Sequence, residues 1–212
     1  MSSVARESFR NPRESVAVGF GITQADAVRS VKGEVFVEMR DGATGELLHK
    51  EHKQNVITLD AGILAAMLFR DPASRPLGAN MLAVGTGATG ALLSPDAPSP
   101  LQRKLNSEIA RKPWASEIFR NGAGAAVAIP TNIVDFTCTF TESEAVGPLN
   151  EMGIVATLSA NPLITNPNPN NFPTRDTTVD VALYDILVNY LTFSVISKPS
   201  TATLSITWRI TF

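Results

Sequence analysis

The two histidines of this chain are the first candidates for a catalytic or metal-binding role. His49 and His52 are the only histidines among its 212 residues. In a β-strand, residues three apart point to opposite faces, so these two rings cannot share a metal ion there. A Ser-His-Asp or Cys-His arrangement would have to use one of them, and no nucleophile-elbow sequence accompanies either. The charged neighbours Lys50, Glu51 and Lys53 favour a solvated sheet edge, where charge prevents pairing with a second sheet.

A glycine-rich stretch is the second candidate. Residues 85–90 read Gly-Thr-Gly-Ala-Thr-Gly and match the letter pattern G-x-G-x-x-G of dinucleotide-binding proteins. In those proteins the pyrophosphate lies at the N-terminus of a helix that starts at the end of the pattern. Residues 91–98 contain Pro95 and Pro98, so they cannot form a long helix, and no βαβ unit follows. The sequence therefore predicts a glycine-rich turn, with a nucleotide site as the alternative.

Three glutamates form an acidic group near a predicted turn. Glu142, Glu144 and Glu151 could bind calcium or serve as an acid/base pair. Their spacing matches no calcium-binding loop, and a carboxylate pair cannot be identified from sequence. A solvated turn is the default interpretation. We therefore predict no catalytic residue, no cofactor and no metal, and we expect that the protein is not an enzyme.

The C-terminal stretch carries the strongest structural pattern. Residues 191–212 predict two strands joined by a turn at residues 198–200. In the first strand we expect Leu191, Phe193 and Val195 to share one face. In the second strand apolar and polar residues alternate, which is typical of a half-buried strand. Its predicted core face consists of Leu204, Ile206, Trp208, Ile210 and the aromatic Phe212.

The first part of the predicted domain holds a hairpin and a helix. Residues 34–57 predict two strands around a turn at residues 41–45. Residues 61–69 predict a short helix that Thr58 or Asp60 can cap. The predicted core face of the first strand consists of Val35, Val37 and Met39.

The middle of the chain predicts a second helix and more strands. Ser99 and Pro100 make a favourable helix start, and Pro113 ends that helix. Val134, Phe136, Cys138 and Phe140 share one face of a strand and are expected in the core. The expected strands are 81–84, 127–141 and 151–158, residues 161–173 form a long loop, and residues 179–188 form a strand or a helix.

Composition narrows the class of protein. The chain is 44% hydrophobic and only 18% charged, a balance that suits a subunit whose surface is partly covered in an assembly. A net charge of −2 lacks the basic footprint of a nucleic-acid-binding protein, and one cysteine excludes an intrachain disulfide. Residues 1–13 resemble no signal peptide and no apolar run is long enough to span a bilayer, so we expect a protein that stays in a reducing cytoplasm.

Many short strands and two short helices predict a mainly β protein. We expect a jelly-roll-like β-sandwich at residues 33–212, preceded by an extended N-terminal arm at residues 1–32. The arm is too polar and irregular to offset its own ordering entropy. Its apolar residues Val16, Val18, Phe20 and Ile22 alternate as an added strand would, and we expect them to contact a neighbouring subunit. The alternative is that the arm lies across its own domain.

Four stretches in fixed order resemble a family of tailed-bacteriophage structural proteins. They are MLAVGTG at 81–87, LNSEIARKP at 105–113, FTESEA through LNEMGI between 140 and 154, and LTFS through KP to WRITF between 191 and 212. The order is similar to that in virion-attachment domains of tail fibres and of collar or baseplate proteins, and in uncharacterised virion proteins of podo- and siphophages. The resemblance covers about two thirds of the chain, from Glu34 onward.

The resemblance implies a non-enzymatic structural component of a tailed-phage virion, in the tail, collar or baseplate apparatus. It also implies a homo-oligomer, a trimer or hexamer, that docks onto other virion proteins after assembly in the host cytoplasm, with no direct nucleic-acid binding and no membrane contact. A jelly roll with an arm also resembles capsid cement proteins, which staple neighbouring shell subunits. A carbohydrate-binding or hydrolytic module is a further alternative, which would need an exposed aromatic platform or a carboxylate pair in a cleft.

Overall fold

Two antiparallel sheets face each other across one apolar core. The computed structural model describes residues 31–71, 73, 77–91, 93–157 and 184–212, which hold fourteen strands and one α-helix. In chain order these elements are Lys32–Asp41 (β1), Leu47–Gln54 (β2), Val56–Ile57 (β3), Leu59–Arg70 (α1), Met81–Gly85 (β4), Gly90–Ala91 (β5), Ser94–Pro95 (β6), Glu108–Pro113 (β7), Ser116–Arg120 (β8), Ala126–Val127 (β9), Ile133–Phe140 (β10), Gly147–Ala156 (β11), Ile186–Leu187 (β12), Asn189–Lys198 (β13) and Ala202–Thr211 (β14).

The first sheet has the order β2-β1-β14-β10-β8-β9, and the second has the order β3-β13-β11-β4-β7. The strand β12 pairs with β11, and β5 pairs with β6 as a separate small ribbon. The predicted mainly β sandwich is therefore confirmed. The predicted hairpin is confirmed as β1 and β2, although its second strand ends at Gln54 and residues 56–57 pair with β13 in the other sheet.

Alternating side chains from both sheets form the core. Val35, Val37 and Met39 of β1 are buried as predicted. The predicted face of β14 is buried from Leu204 through Ile210, and Trp208 has no exposed surface. Cys138 is also fully buried in β10, and burial raises the pKa of its thiol to about 12, which leaves it an inert core side chain. Facing side chains from the second sheet, including Leu82, Val84, Leu149, Met152, Ile154, Leu191 and Phe193, complete this cluster.

The predicted core faces are wrong in some details. Val134 and Phe136 of β10 pack against the core but are only half-buried. Phe212 lies beyond the end of β14 and is 59% exposed. In β13 the buried side chain is Ile196, whereas Val195 is only half-buried. The pairing register between β11 and β13 shifts between Leu149 and Glu151, and this irregularity changes which residues of β13 face the core.

The predicted second helix is also wrong. Residues 108–113 form β7, which pairs with β4 from Met81 to Gly85. Leu105 and Ile109 have the spacing of a helical face, but Leu105 packs outside the second sheet while Ile109 packs against the core. Pairing along the open side of β4 satisfies the backbone of both strands, and this long-range gain outweighs the local helical pattern.

The helix α1 confirms the first predicted helix. Thr58 is its N-cap residue, and its hydroxyl accepts a hydrogen bond from the Ala61 amide at 3.2 Å. In the described ranges no helix is long and apolar enough to cross a membrane. The predicted arm up to residue 30, the loop at 161–173 and residues 179–183 lie outside the described residues.

Candidate interaction site

The second sheet is covered on its outer side by a layer of loops and α1. Side chains of Met81, Ala83, Val155 and Tyr190 point away from the core and form a second apolar cluster with Leu105 and Leu187. The covering layer consists of α1 and of the chain between β4 and β7. Both candidate interaction surfaces of the described residues, an apolar helix face and a polar pocket, belong to this layer.

The first turn of α1 is tied to its surroundings through the backbone. The Thr58 hydroxyl donates to the Leu187 carbonyl oxygen at 2.5 Å. The Leu59 amide donates to the Pro100 carbonyl oxygen at 2.9 Å. Asp60 is buried and lies 3.3 Å from the Arg103 guanidinium. Burial raises the pKa of the Asp60 carboxyl, and the Arg103 charge offsets only part of that effect.

The inner side of α1 packs on the sandwich. Leu64 is buried against Ala156 and Ile186, with Met67 and Leu68 beside them. This contact fixes the orientation of the helix, so the residues on the opposite side must face outward.

The outer side of α1 is almost entirely apolar. Leu59 is 61% exposed, Ile63 38% and Phe69 93%, and Arg70 is the one charged residue on this side. A surface helix normally carries polar residues there, and a helix that is apolar all round is normally covered on every side. We call Leu59, Gly62, Ile63, Ala65, Ala66 and Phe69 the α1 outer face. Leu101, which follows Pro100 at the same end of the helix, is also exposed.

The polar pocket opens between β13 and the chain that follows β4. Its volume is about 290 Å³, and its lining is almost entirely polar. The lining residues are Thr89, Asp96, Ala97, Ser99, Gln102, Asn106, Tyr190 and Thr192. Such a lining suits a ligand group that donates several hydrogen bonds.

Glu151 links several chain segments next to this pocket through hydrogen bonds. Its side chain has no exposed surface. Its Oε1 accepts from the amides of Gly87 at 3.0 Å and Ser107 at 2.7 Å. Its Oε2 accepts from the Asn106 amide at 3.0 Å and from the Tyr190 hydroxyl at 2.7 Å. Four donors on one buried carboxylate make a structural anchor that joins β11, β13 and the two loop segments.

The glycine-rich stretch therefore packs its backbone closely against the Glu151 carboxylate. An added Cβ at Gly85 would lie 2.6 Å from Glu151 Oε1, and one at Gly87 would collide with the Ser107 amide. The glycines allow close backbone approach, as in a phosphate-binding loop, but the anion is a side chain of the chain itself. No helix follows the stretch, which agrees with the predicted turn.

Asp96 is the carboxylate of the pocket itself. Its side chain accepts a hydrogen bond from the Thr89 hydroxyl. Its backbone amide donates to the Thr89 carbonyl oxygen at 2.8 Å, and its carbonyl oxygen accepts from the Thr192 hydroxyl at 2.7 Å. Among the described residues no Lys, Arg or His forms an ion pair with it. The pocket thus presents an acceptor whose charge the described part of the chain does not neutralise.

A buried ion cluster lies on the same side of the sheet. Arg111 donates to Glu108 at 2.5 and 2.9 Å and to Asp185 at 2.8 Å. Burial raises the pKa of the Glu108 carboxyl more than Arg111 lowers it, and the charges of Asp185 and Glu151 add to the increase. The cluster connects β7 to the segment before β12.

The histidines and glutamates identified from the sequence as candidate site residues do not lie together in one site. His52 stacks on Phe36 with ring centroids 4.5 Å apart, and its Nε2 lies 3.7 Å from Glu34. His49 lies on the other face of β2, with its Nε2 3.7 Å from Glu51.

The three glutamates are equally dispersed. Glu144 accepts from Lys112 Nζ at 2.7 Å and from the Thr141 amide at 2.8 Å, while Glu151 is fully buried. The solvated-turn interpretation is therefore wrong for Glu151. Across the described residues no group of three or more His, Cys, Asp or Glu side chains could hold a metal ion.

Sequence reasoning missed Asp96 and Tyr190 as members of one site. They lie 94 positions apart and meet only because the loop after β4 crosses β13. Glu151 offered a signal, since a glutamate directly before the apolar run from Met152 to Ala156 in one predicted strand indicates a buried charge that needs partners.

Comparison with protein-family models gave no match, and a search of characterised proteins returned no significant relative. The site defines a class only by its architecture, an antiparallel β-sandwich with an apolar helix face and a polar pocket outside one sheet.

Proposed function

We propose that this protein is a non-enzymatic structural subunit that docks onto neighbouring subunits through the α1 outer face. The observation that carries the proposal is the exposure of Leu59, Ile63 and Phe69 on a helix whose other side is already packed. The sequence resemblance points to a tailed-phage virion as the assembly, with the tail, collar or baseplate as the position and a trimer or hexamer as the form. Capsid cement is the alternative position.

Burial of the α1 outer face by a partner is energetically favourable. Full burial of a large apolar side chain contributes roughly 1.5–3 kcal/mol, so covering Leu59, Ile63 and Phe69 contributes about 4 kcal/mol given their partial exposure. Association costs at least about 4 kcal/mol of translational and rotational freedom. The α1 outer face alone therefore supports only weak binding, and a second contact is required.

We propose that residues 16–22 of a second copy provide the contact. In an extended chain Val16, Val18, Phe20 and Ile22 lie on one side. Seven extended residues span about 20 Å, which matches the length of about 18 Å for the twelve residues of α1.

The jelly-roll-like connectivity is part of the same proposal. The chain passes from one sheet to the other four times: between β2 and β3, between β7 and β8, between β10 and β11, and between β13 and β14. Repeated crossing of this kind supports a jelly-roll relationship, and a rigid sandwich of this type presents a docking helix in a fixed orientation.

Sedimentation equilibrium of the full chain tests the proposal. We expect the wild type to be a trimer or hexamer and the double variant Ile63→Ser with Phe69→Ser to dissociate. Deletion of residues 1–30 should have the same effect while the melting temperature of the isolated subunit stays similar. Ile129→Ser is the matched control, because Ile129 is exposed far from α1 in sequence and lies near β9 of the first sheet.

Two outcomes would contradict the proposal. If the α1 variants unfold the monomer without changing its association, then the chain covers this face with its own residues. If they change neither property, the α1 outer face has no partner. Locating the density of the protein in an intact particle distinguishes a tail component from a cement protein on the shell.

A further inference from the structure

We propose that the polar pocket is a socket for the guanidinium group of an arginine from the first thirteen residues of a second copy. This inference rests on the proposed function, because it assumes that the arm of one subunit reaches α1 of another. It adds a specific charged contact to the apolar one, and it assigns a ligand to a pocket that the docking argument does not use.

The chemistry of the lining selects a cationic group with several donors. Asp96 contributes a carboxylate, and Thr89, Ser99 and Thr192 contribute hydroxyl groups. Among the described residues that line the pocket there is no Lys or Arg, and the buried Glu151 accepts from two of the lining residues, Asn106 and Tyr190. An anion would be repelled there, whereas a guanidinium presents five donors in a plane to carboxylate, hydroxyl and carbonyl oxygens.

The size of the pocket agrees with this group. About 290 Å³ is more than a single water molecule needs and is enough for the planar end of an arginine side chain with part of its methylene stem. Tyr190 is almost fully buried, so the pocket offers no exposed aromatic platform of the kind that would stack on a sugar ring.

One short segment links the pocket to the α1 outer face. Ser99 and Gln102 line the pocket, while Leu101 between them is exposed. The Pro100 carbonyl accepts from the first residue of α1, and Arg103 pairs with Asp60 of α1. A partner chain that lies on the N-terminal part of α1 therefore passes beside the pocket.

The N-terminal arm contains arginines whose positive charge complements Asp96 and whose spacing from residues 16–22 is short. Residues 1–14 hold three arginines, Arg6, Arg10 and Arg13, and two acids, Glu7 and Glu14, in a chain whose net charge is −2. Arg13 precedes Val16 by three residues, which is about 10 Å of extended chain. If residues 16–22 lie along α1 with Val16 at its N-terminal end, Arg13 lies on the side of α1 where Ser99 and Gln102 line the pocket.

The association of full-chain variants tests the socket. We expect Asp96→Asn to weaken assembly roughly two- to fivefold, the upper part of the range for an ion pair in a partly open site. The triple variant R6Q/R10Q/R13Q should weaken it similarly, and combining both sets should add little, because they remove the same contact. Glu117→Gln, which neutralises an exposed carboxylate on β8, is the matched control and should leave assembly unchanged.

A small-molecule probe tests the pocket independently of assembly. In the full-chain R6Q/R10Q/R13Q variant we expect N-acetyl-arginine amide to shift the backbone NMR signals of residues 87–90 and 96–102. N-acetyl-citrulline amide, which has the same shape without the charge, should not shift them. Asp96→Asn in that background should abolish the response.

The outcomes separate this inference from the proposed function. A wild-type chain that is monomeric contradicts the proposed function and the arm as the source of the arginine. Assembly through α1 with no loss in Asp96→Asn overturns the socket alone. Loss in Asp96→Asn but not in the arginine variant overturns the arm as the source. A response to monosaccharides but not to the arginine probe overturns the guanidinium assignment.

Discussion

Replacement of Glu151 by glutamine tests the structural role assigned to this carboxylate. A glutamine keeps one acceptor oxygen, which can still accept from Gly87 and Ser107, but its NH₂ group faces the amide of Asn106 and the hydroxyl of Tyr190. The tyrosine hydroxyl can rotate and accept. The Asn106 amide cannot, so it loses its acceptor at a partly buried position.

The expected loss follows from these contacts. A donor without an acceptor costs about 1–3 kcal/mol when it is buried and toward the low end of that range when it is partly buried, and the remaining bonds lose the part of their strength that comes from the charge. The sum is about 3 kcal/mol, which corresponds to a decrease of about 6–12 °C in melting temperature for a chain of this size. The fold should survive, since domains are stable by roughly 5–15 kcal/mol.

Chemical unfolding and amide hydrogen exchange measure the effect. We expect the free energy of unfolding to fall by the stated amount and the Asn106 amide to exchange much faster than the Ser107 amide, which keeps its acceptor. Glu117→Gln makes the same chemical change at an exposed position and should alter stability by less than about 0.5 kcal/mol. A loss below about 1 kcal/mol in Glu151→Gln, with uniform exchange rates, would refute the assigned network.

Three further predictions concern the sandwich. Trp208→Ala should cost about 3–5 kcal/mol in chemical unfolding, whereas Phe212→Ala should cost less than about 1 kcal/mol because that ring is largely exposed. His49→Ala combined with His52→Ala should leave the oligomeric state and particle assembly unchanged, and loss of a measurable hydrolase activity would contradict the structural role. Burial raises the pKa of Asp135, but hydrogen bonds and charges from its two arginine partners lower it further than burial raises it. The stability difference between wild type and Asp135→Asn should therefore be full well above pH 4 and vanish as the pH falls through the lowered pKa, which urea unfolding between about pH 7 and 2.5 would show.

The strands were predictable where their pattern is local. Val35, Val37 and Met39, and likewise Leu204 through Ile210, alternate with polar residues, and the period of two alone assigns their faces. Thr58 was identifiable as a cap because capping depends on residues only three positions apart. These assignments required no knowledge of distant parts of the chain.

The candidate site was not predictable, because every part of it depends on distant pairing. The spacing of Leu101, Leu105 and Ile109 fits a helix, and only the open side of β4 makes residues 108–113 a strand. Ile196 faces the core because of a register shift against β11, which no local pattern encodes. The predicted docking residues Val16, Val18, Phe20 and Ile22 lie outside the described residues, so they stay a prediction.

The difference between the two outer sheet faces explains why both candidate surfaces lie outside the second sheet. On the first sheet the outward side chains satisfy one another: Thr137 bonds to Thr207 at 3.1 Å, and Asp135 accepts from Arg120 and Arg209 at 2.7–2.9 Å. Covering such a face would displace water from groups that already have partners, with little gain.

The second sheet instead has an apolar outer face that must be covered, and a loop layer with one helix covers it. A layer built from loops follows the sheet less closely than another sheet would, which leaves a pocket beside Tyr190. A helix in this layer packs one side on the sandwich and exposes its other side, and on α1 the exposed side is apolar. We therefore expect substitutions in this layer to change association, while substitutions on the outer face of the first sheet change stability alone.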